Sequence, residues 1–223
     1  CAAEHRDVVL DVLVDMLRNS RFEAEEIERE KGVILEEMNM YYDTPRDYIG
    51  SLYEELMFGD NPLGWETLGT KETIRAATRD TFLDYVGHWY TPNRMVVGVA
   101  GKIGDDLMPT LERLLADMSG NGSDGAPSAE LHRDEGPHVR LHHKDSDQAQ
   151  ICLGVPSYPL EHPDRYALQM LATVLGTGMS SRLFLEVRER RGLAYYVYGL
   201  NHSYTDAGSL FAQAGVDLTR VDE

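Results

Sequence analysis

The sequence predicts an α+β fold of two layered units, in which helices pack on mostly antiparallel sheets. Helical patterns fill the first half and end in one buried strand pattern, whereas strand and helix patterns are mixed after residue 137. Between them, residues 119–137 (SGNGSDGAPSAELHRDEGP) combine Gly, Ser and Pro without periodicity, which is typical of a linker. The predicted organisation is therefore 1–118, a linker at 119–137, and 138–223, in α+β layers.

Apolar residues at helical spacing predict the first helix over residues 7–18. A second helix is expected from Ser20, which with Glu23 resembles a capping box, to Tyr42, ahead of Pro45. Four more helices are predicted before the linker, at 46–57, 71–76, 79–89 and 105–118. The apolar, β-branched run RMVVGVAG predicts a buried strand over 94–101.

After the linker, strand patterns alternate with helical ones. The predicted strands are 138–144, 149–157, 194–204 and 208–216. Helices are predicted over 163–175 and 181–191, the second of them preceded by a glycine-containing turn.

Charge and composition exclude several classes of partner. The formal net charge of −17 argues against nucleic acid and anionic membrane surfaces. No apolar run approaches the roughly 18 to 20 residues of a membrane span. Two cysteines, Cys1 and Cys152, do not form a disulfide framework, which favours a reducing compartment and a cytoplasmic location.

The chain opens on CAAEHRDVVLDVL, which is typical of a helix already under way. It contains no secretory signal pattern and no starting Met. We therefore expect these residues to be a piece of a longer protein, with both of its domains incomplete.

Two carboxylates share one face of the second predicted helix. Glu30 and Glu37 lie two helical turns apart, about 20° from each other around the axis, on the face that carries Ile27 and Ile34. Burying an unpaired carboxylate costs about several kcal/mol, so an inward pair needs a metal, a basic partner or water. On spacing alone, a half-exposed face whose Glu residues meet Arg or Lys is the alternative.

Longer stretches resemble a known family. The strings NSRFEAEEIEREKGVILEEMNMYYDTP (19–45) and LMFGDNPLGWETLGTKETI (56–74) are similar to the pitrilysin/insulinase family of zinc peptidases, in the mitochondrial-processing-peptidase-like branch. The string HPDRYALQMLATVLGTGMSSRLFLEVRERRGLAYYVYG (162–199) resembles the start of that family's second homologous domain. The resemblance covers most of the chain and places the linker where the family joins its two domains.

The resemblance implies a zinc site to which this chain contributes one ligand. Glu37 corresponds to the family's third zinc ligand, and Glu30 to the acidic residue two turns earlier that supports the site. The other ligands and the general base belong to an H-x-x-E-H helix, expected roughly 40 residues before Cys1. The opening CAAEH, with Glu4 and His5, is not that motif because it lies too close to Glu37.

A second pair of residues is implied in the second domain. In RERRGLAY, Arg188 and Tyr195 stand where the family has residues that hold the substrate backbone and stabilise the developing oxyanion. Without the resemblance, Arg188 is a surface charge and Tyr195 a packed aromatic.

These patterns leave three hypotheses. The first is a zinc-dependent endopeptidase that cleaves peptides or unfolded segments in a chamber and works as a homo- or heterodimer of two-domain chains. The second is a non-catalytic homologue that acts as a structural or substrate-binding subunit. The third is an acidic α+β domain whose inward Glu residues pair with Arg. With one zinc ligand present, this piece is expected to be inactive alone.

Overall fold

A computed structural model describes residues 1–120 and 137–223 and shows an α+β fold. The described residues form two compact units. Unit 1 holds Cys1–Ile34 and the stretch from Lys71 to residue 120. Unit 2 holds Leu35–Thr70 and the stretch from residue 137 to Glu223. Almost all of the predicted linker lies outside the described residues.

Helices make up the regular structure of unit 1. They are α1 (Arg6–Arg18), the first part of α2 (Ala24–Tyr42), α4 (Lys71–Ala76), α5 (Arg79–Trp89) and α6 (Leu107–Leu115). Leu10 of α1 packs with Leu107 and Leu111 of α6 in a small apolar core. An exposed ion pair between Arg6 and Asp106 joins the same two helices.

Unit 2 is a three-stranded antiparallel sheet with helices. It contains the end of α2, then α3 (Pro45–Phe58), β1 (Gln148–Pro156), α7 (Arg165–Gly176), a π-helix (Phe184–Arg190), β2 (Ala194–Ser203) and β3 (Gly208–Asp217). The strand order is β1-β3-β2, so β3 is central. Ala214 of β3 lies opposite Ile151 of β1 and Val197 of β2.

The core of unit 2 joins the sheet to the π-helix. Ala194 and Val197 of β2 are buried with Val216 of β3, and Leu183 and Val187 pack against them. Tyr196 and Tyr198 flank Val197 in β2, so alternation directs them to the other face of the sheet.

Two facing glycines set the distance between α7 and β2. A Cβ on Gly176 would lie 2.0 Å from the backbone nitrogen of Gly199, far inside van der Waals contact. The helix end and the strand therefore approach backbone to backbone, which only residues without side chains allow.

We expect Gly176→Ala to destabilise the protein by about 1 to 3 kcal/mol or more, because the added methyl has to push α7 off the sheet. Thermal melting of the purified protein measures the effect as a lower midpoint. Gly50→Ala, in the interior of α3, is the matched control because nothing lies within 4 Å of its added Cβ. A midpoint for Gly176→Ala equal to that of the control contradicts this packing account.

Most predicted elements are confirmed, and two strands are not. Residues 94–101 and 138–144 form no strand, and Val96 and Leu141 are 97% and 93% exposed. A strand needs a neighbour to pair its backbone groups, and neither segment has one among the described residues.

The predicted capping box is also absent. The Ser20 hydroxyl donates to the Met16 carbonyl at 2.5 Å, so this side chain closes the end of α1. Helix α2 begins at Ala24.

Within the described residues, no helix is both long enough and apolar enough to span a membrane. Helix α2 has 19 residues but carries many charges.

Candidate functional site

Helix α2 presents the two predicted carboxylates on one face. It runs without interruption from Ala24 to Tyr42, so Glu30 and Glu37 keep their spacing of two turns. Both side chains are exposed, whereas Ile27 and Ile34 are half-buried. The expectation that the carboxylates turn into the core is therefore wrong, and in this structure they need no compensation for burial.

Neither carboxylate is paired with a described residue. The two basic side chains of α2 form ion pairs with other glutamates. Arg29 lies 2.7 Å from Glu26, and Lys31 lies 2.6 Å from Glu28. Glu30 and Glu37 make no hydrogen bond or ion pair with any residue that the structure describes. The hypothesis that these two Glu residues exist to pair with Arg has no support in this geometry.

The described residues supply only part of a zinc site. A zinc site in a protein takes at least three side-chain ligands from His, Cys, Asp and Glu. Within residues 1–120 and 137–223, no group of three or more such side chains is arranged to hold a metal. Glu37 fits as a single carboxylate ligand because it is accessible and pairs with no described residue. The rest of a ligand set has to come from outside the described residues.

The opening CAAEH segment forms no metal site either. The His5 imidazole lies 3.6 Å from the Glu4 carboxylate, and both side chains are largely exposed. They sit on a short 3₁₀ turn ahead of α1. This agrees with the interpretation of His5 as a solvated residue.

Arg188 and Tyr195 come together across a tight turn in unit 2. Arg188 belongs to the π-helix, and Tyr195 follows the first residue of β2. Gly192, at φ +60°, takes the left-handed conformation that reverses the chain. The Leu193 N–H donates to the Val187 carbonyl at 2.9 Å and closes the turn.

Both residues occupy irregular backbone. The π-helix widens the turn that carries Arg188. Tyr195 is the extra residue of a β-bulge, because Ala194 lies opposite Val216 whereas Tyr196 lies opposite Gly215. Bulges re-aim a side chain out of the regular alternation of a strand. Tyr195 is accordingly 74% exposed between half-buried or buried neighbours.

The Arg188 guanidinium interacts with two aromatic rings of unit 2. It lies 5.9 Å from the ring centroid of Tyr195 and 4.9 Å from that of Phe184. It makes no hydrogen bond or ion pair with any described residue, and the Tyr195 hydroxyl has no such partner either. The pair thus offers an unneutralised cation and a free phenol on one surface, which suits carbonyl or carboxylate oxygens.

Tyr196 and Tyr198 of β2 belong to a hydrogen-bond network that the sequence patterns did not predict. The Tyr196 hydroxyl donates to Gln150 at 2.5 Å and accepts from Gln213 at 2.9 Å. Tyr198 donates to Gln213 at 2.7 Å, and the Arg46 guanidinium lies 4.3 Å over the Tyr196 ring. Burial raises the pKa of both tyrosines. The sequence signal for this network is the alternation of Tyr196 and Tyr198, which places both side chains on one face of the strand.

The structure brings one of the two predicted pairs together. Arg188 and Tyr195 are in contact within unit 2, whereas Glu30 and Glu37 share a face of α2 without touching each other through a hydrogen bond or ion pair.

Comparison with known proteins identifies the family. Residues 1–71 match the family described as Insulinase (Peptidase family M16), and residues 76–223 match the family described as Peptidase M16 inactive domain. Together these matches cover nearly the whole chain. The chain belongs to the insulinase family, peptidase family M16, a family of hydrolases. The predicted family is confirmed.

Curated relatives carry the name of a zinc protease. The chain is 37% identical over 221 residues to the uncharacterized zinc protease YmxG of Bacillus subtilis, covering 99% of this chain and 53% of the relative. It is 38% identical over 213 residues to the uncharacterized zinc protease ML0855 of Mycobacterium leprae, covering 93% and 47%. The chain therefore spans about half the length of the curated relatives it matches.

Solved structures confirm the fold class. A protease from Helicobacter pylori matches with a TM-score of 0.85 at 19% identity, over 96% of this chain and 53% of that one. A peptidase M16 inactive domain from Pseudomonas fluorescens matches with a TM-score of 0.81 at 20% identity, over 97% and 52%. At these identities the likeness concerns the fold alone.

Proposed function

We propose that the full-length protein containing this chain is a zinc-dependent endopeptidase of the pitrilysin/insulinase type, which cleaves peptides or unfolded segments inside a chamber. Membership of the family and the relatives named as zinc proteases support the class. The assignment of individual residues rests on the resemblance of their motifs and on the accessibility of their side chains.

Glu37 would supply one carboxylate to the zinc, and Glu30 on the same helix face would support it. When bound, zinc polarises a scissile carbonyl and activates a water. Arg188 and Tyr195 would hold the substrate backbone and donate to the oxygen on which negative charge develops. An accessible carboxylate without a basic partner, as found for Glu37, is a prerequisite of the first role.

The observation that carries the proposal is the free guanidinium of Arg188. Arg188 forms no ion pair with any described residue, whereas Arg190 on the same helix is paired with Glu186. Arg188 instead lies near Tyr195, whose hydroxyl also has no hydrogen-bond partner in the part of the chain that the structure describes. Two unsatisfied donors on adjacent irregular backbone are what binding of a peptide oxygen requires.

The full-length product is expected to hydrolyse an unstructured polypeptide, such as reduced and alkylated casein, at neutral pH. A zinc chelator should abolish the hydrolysis, and added Zn²⁺ should restore it. The 223-residue chain alone, assayed in parallel, should show none because it supplies one ligand. Hydrolysis that a chelator leaves unchanged contradicts the metallopeptidase assignment.

A second candidate is a non-catalytic homologue that acts as a structural or substrate-binding subunit. Its support is that residues 76–223 match the family described as Peptidase M16 inactive domain. This candidate predicts that the full-length product binds unfolded polypeptide without cleaving it, with or without added Zn²⁺.

Peptide is the proposed binding partner in both cases. We further propose a homo- or heterodimer of two-domain chains and, from the low cysteine content, a cytoplasmic location.

A further inference from the structure

We propose that Phe184 is a positioning residue for Arg188, and that its ring orients the guanidinium beside Tyr195 without neutralising it. This inference rests on the proposed function, since it assigns a role within the same site. The observation behind it is the distance of 4.9 Å between the Arg188 guanidinium carbon and the centre of the Phe184 ring.

The backbone fixes Phe184 at the start of the π-helix. Its N–H donates to the hydroxyl of the buried Ser181 at 3.4 Å, and its side chain is half-buried. Leu183, which precedes Phe184, and Val187, which follows it, both pack into the core of unit 2. The ring therefore belongs to a rigid part of the unit, whereas a free arginine side chain has several rotatable bonds.

Two arginines on this helix have different partners one turn earlier. Arg190 has Glu186 four residues before it, and the two form an ion pair. Arg188 has Phe184 at the same offset and makes a cation–π contact instead. An ion pair holds a guanidinium but occupies its N–H donors and cancels its charge. A ring face holds the cation and leaves all five donors available for a substrate.

The two aromatic rings near the Arg188 guanidinium differ in their surroundings and in their polar groups. The guanidinium carbon lies 4.9 Å from the centre of the Phe184 ring and 5.9 Å from that of the Tyr195 ring. Phe184 is half-buried and supplies the support, and Tyr195 is exposed and carries a hydroxyl. The Phe184 ring sets the direction of the guanidinium, and the Tyr195 hydroxyl binds the substrate together with the guanidinium.

The test is a double-mutant cycle in the full-length product, with kcat and KM measured on an unstructured peptide. Phe184→Leu, which keeps an apolar side chain but removes the ring face, should lower kcat/KM about three- to tenfold. Phe184→Tyr should restore the wild-type value. In an Arg188→Ala background, Phe184→Leu should have no further effect. Leu185→Ala, a partly exposed neighbour on the helix, is the control and should leave kcat/KM unchanged.

An equal loss from Phe184→Leu with and without Arg188 overturns the proposal, because the ring then acts only through folding. Failure of Phe184→Tyr to restore activity also overturns it. If the full-length product hydrolyses no peptide, the proposed function fails, and NMR of the Arg188 Nε–H group tests the positioning alone. Its proton signal should move downfield in Phe184→Leu as the ring current is lost. An unmoved signal overturns the proposal.

Discussion

Replacing Arg188 by Ala is expected to lower kcat/KM for peptide hydrolysis by the full-length product about 100- to 1,000-fold. The guanidinium pairs with no carboxylate within residues 1–120 and 137–223, so its charge is available to an oxygen that becomes negative in the transition state. Losing a donor of this kind removes an interaction that strengthens along the reaction, and kcat should fall with kcat/KM. Steady-state kinetics on one unstructured peptide measures both.

The matched control is Arg190→Ala, because Arg190 lies on the same helix and is also exposed. Its guanidinium is already paired with Glu186, so its loss should change kcat/KM by less than about threefold. Arg188→Lys should be intermediate, because an ammonium keeps the charge but not the planar fork of donors. Equal effects of the two alanine variants would contradict the role of Arg188.

The second large effect is expected from Glu37→Gln, which should remove bound zinc and lower kcat/KM by more than about 100-fold. The amide keeps the shape of the side chain but not the charge that a divalent cation needs. Because Glu37 is exposed and pairs with no described residue, folding should not suffer. Metal content, hydrolysis and the thermal midpoint are measured on the same preparation.

Glu36→Gln is the control on the neighbouring position of α2, and it should keep both zinc and activity because Glu36 points to another side of the helix. Glu30→Gln should lower activity or zinc affinity about 10- to 100-fold, the range for a residue that supports a ligand. If Glu36→Gln and Glu37→Gln behave alike, Glu37 is not the ligand.

The helices were predictable because each carries its own signal. Apolar spacing predicted α1 within about a residue, and the predicted bounds of α4 and α5 agree with the structure. Pro45 marks the break between α2 and α3. The strands β1, β2 and β3 were predictable from β-branched and aromatic runs between turns. Strands β2 and β3 are also consecutive in the sequence, so each has its pairing partner nearby.

Strand formation elsewhere depends on partners that a local pattern does not reveal. Residues 94–101 have the apolar composition of a strand, but no described strand pairs with them. The exposure of Glu30 and Glu37 was also not predictable from the local pattern. Their spacing puts them on one helix face, but residues elsewhere in the chain decide whether that face is covered.

The irregular backbone of the Arg188–Tyr195 pair was not predictable from periodicity. A regular strand would alternate Tyr195 with Tyr196 about its two faces, and the bulge adds one residue that changes this pattern. The motif RERRGLAY predicted which residues to examine, whereas the structure supplied their contact and the ring of Phe184. The predicted domain boundaries at 118 and 138 remain a prediction.

The most direct test of this account is the zinc content of the full-length product, measured by atomic emission beside Glu37→Gln. The protein should be purified without chelator at neutral pH, and both samples should show the same thermal midpoint. The account predicts about one zinc per wild-type chain, the content of a single site, and a sharp reduction in the variant. No zinc in the wild type, or equal zinc in both, would contradict it.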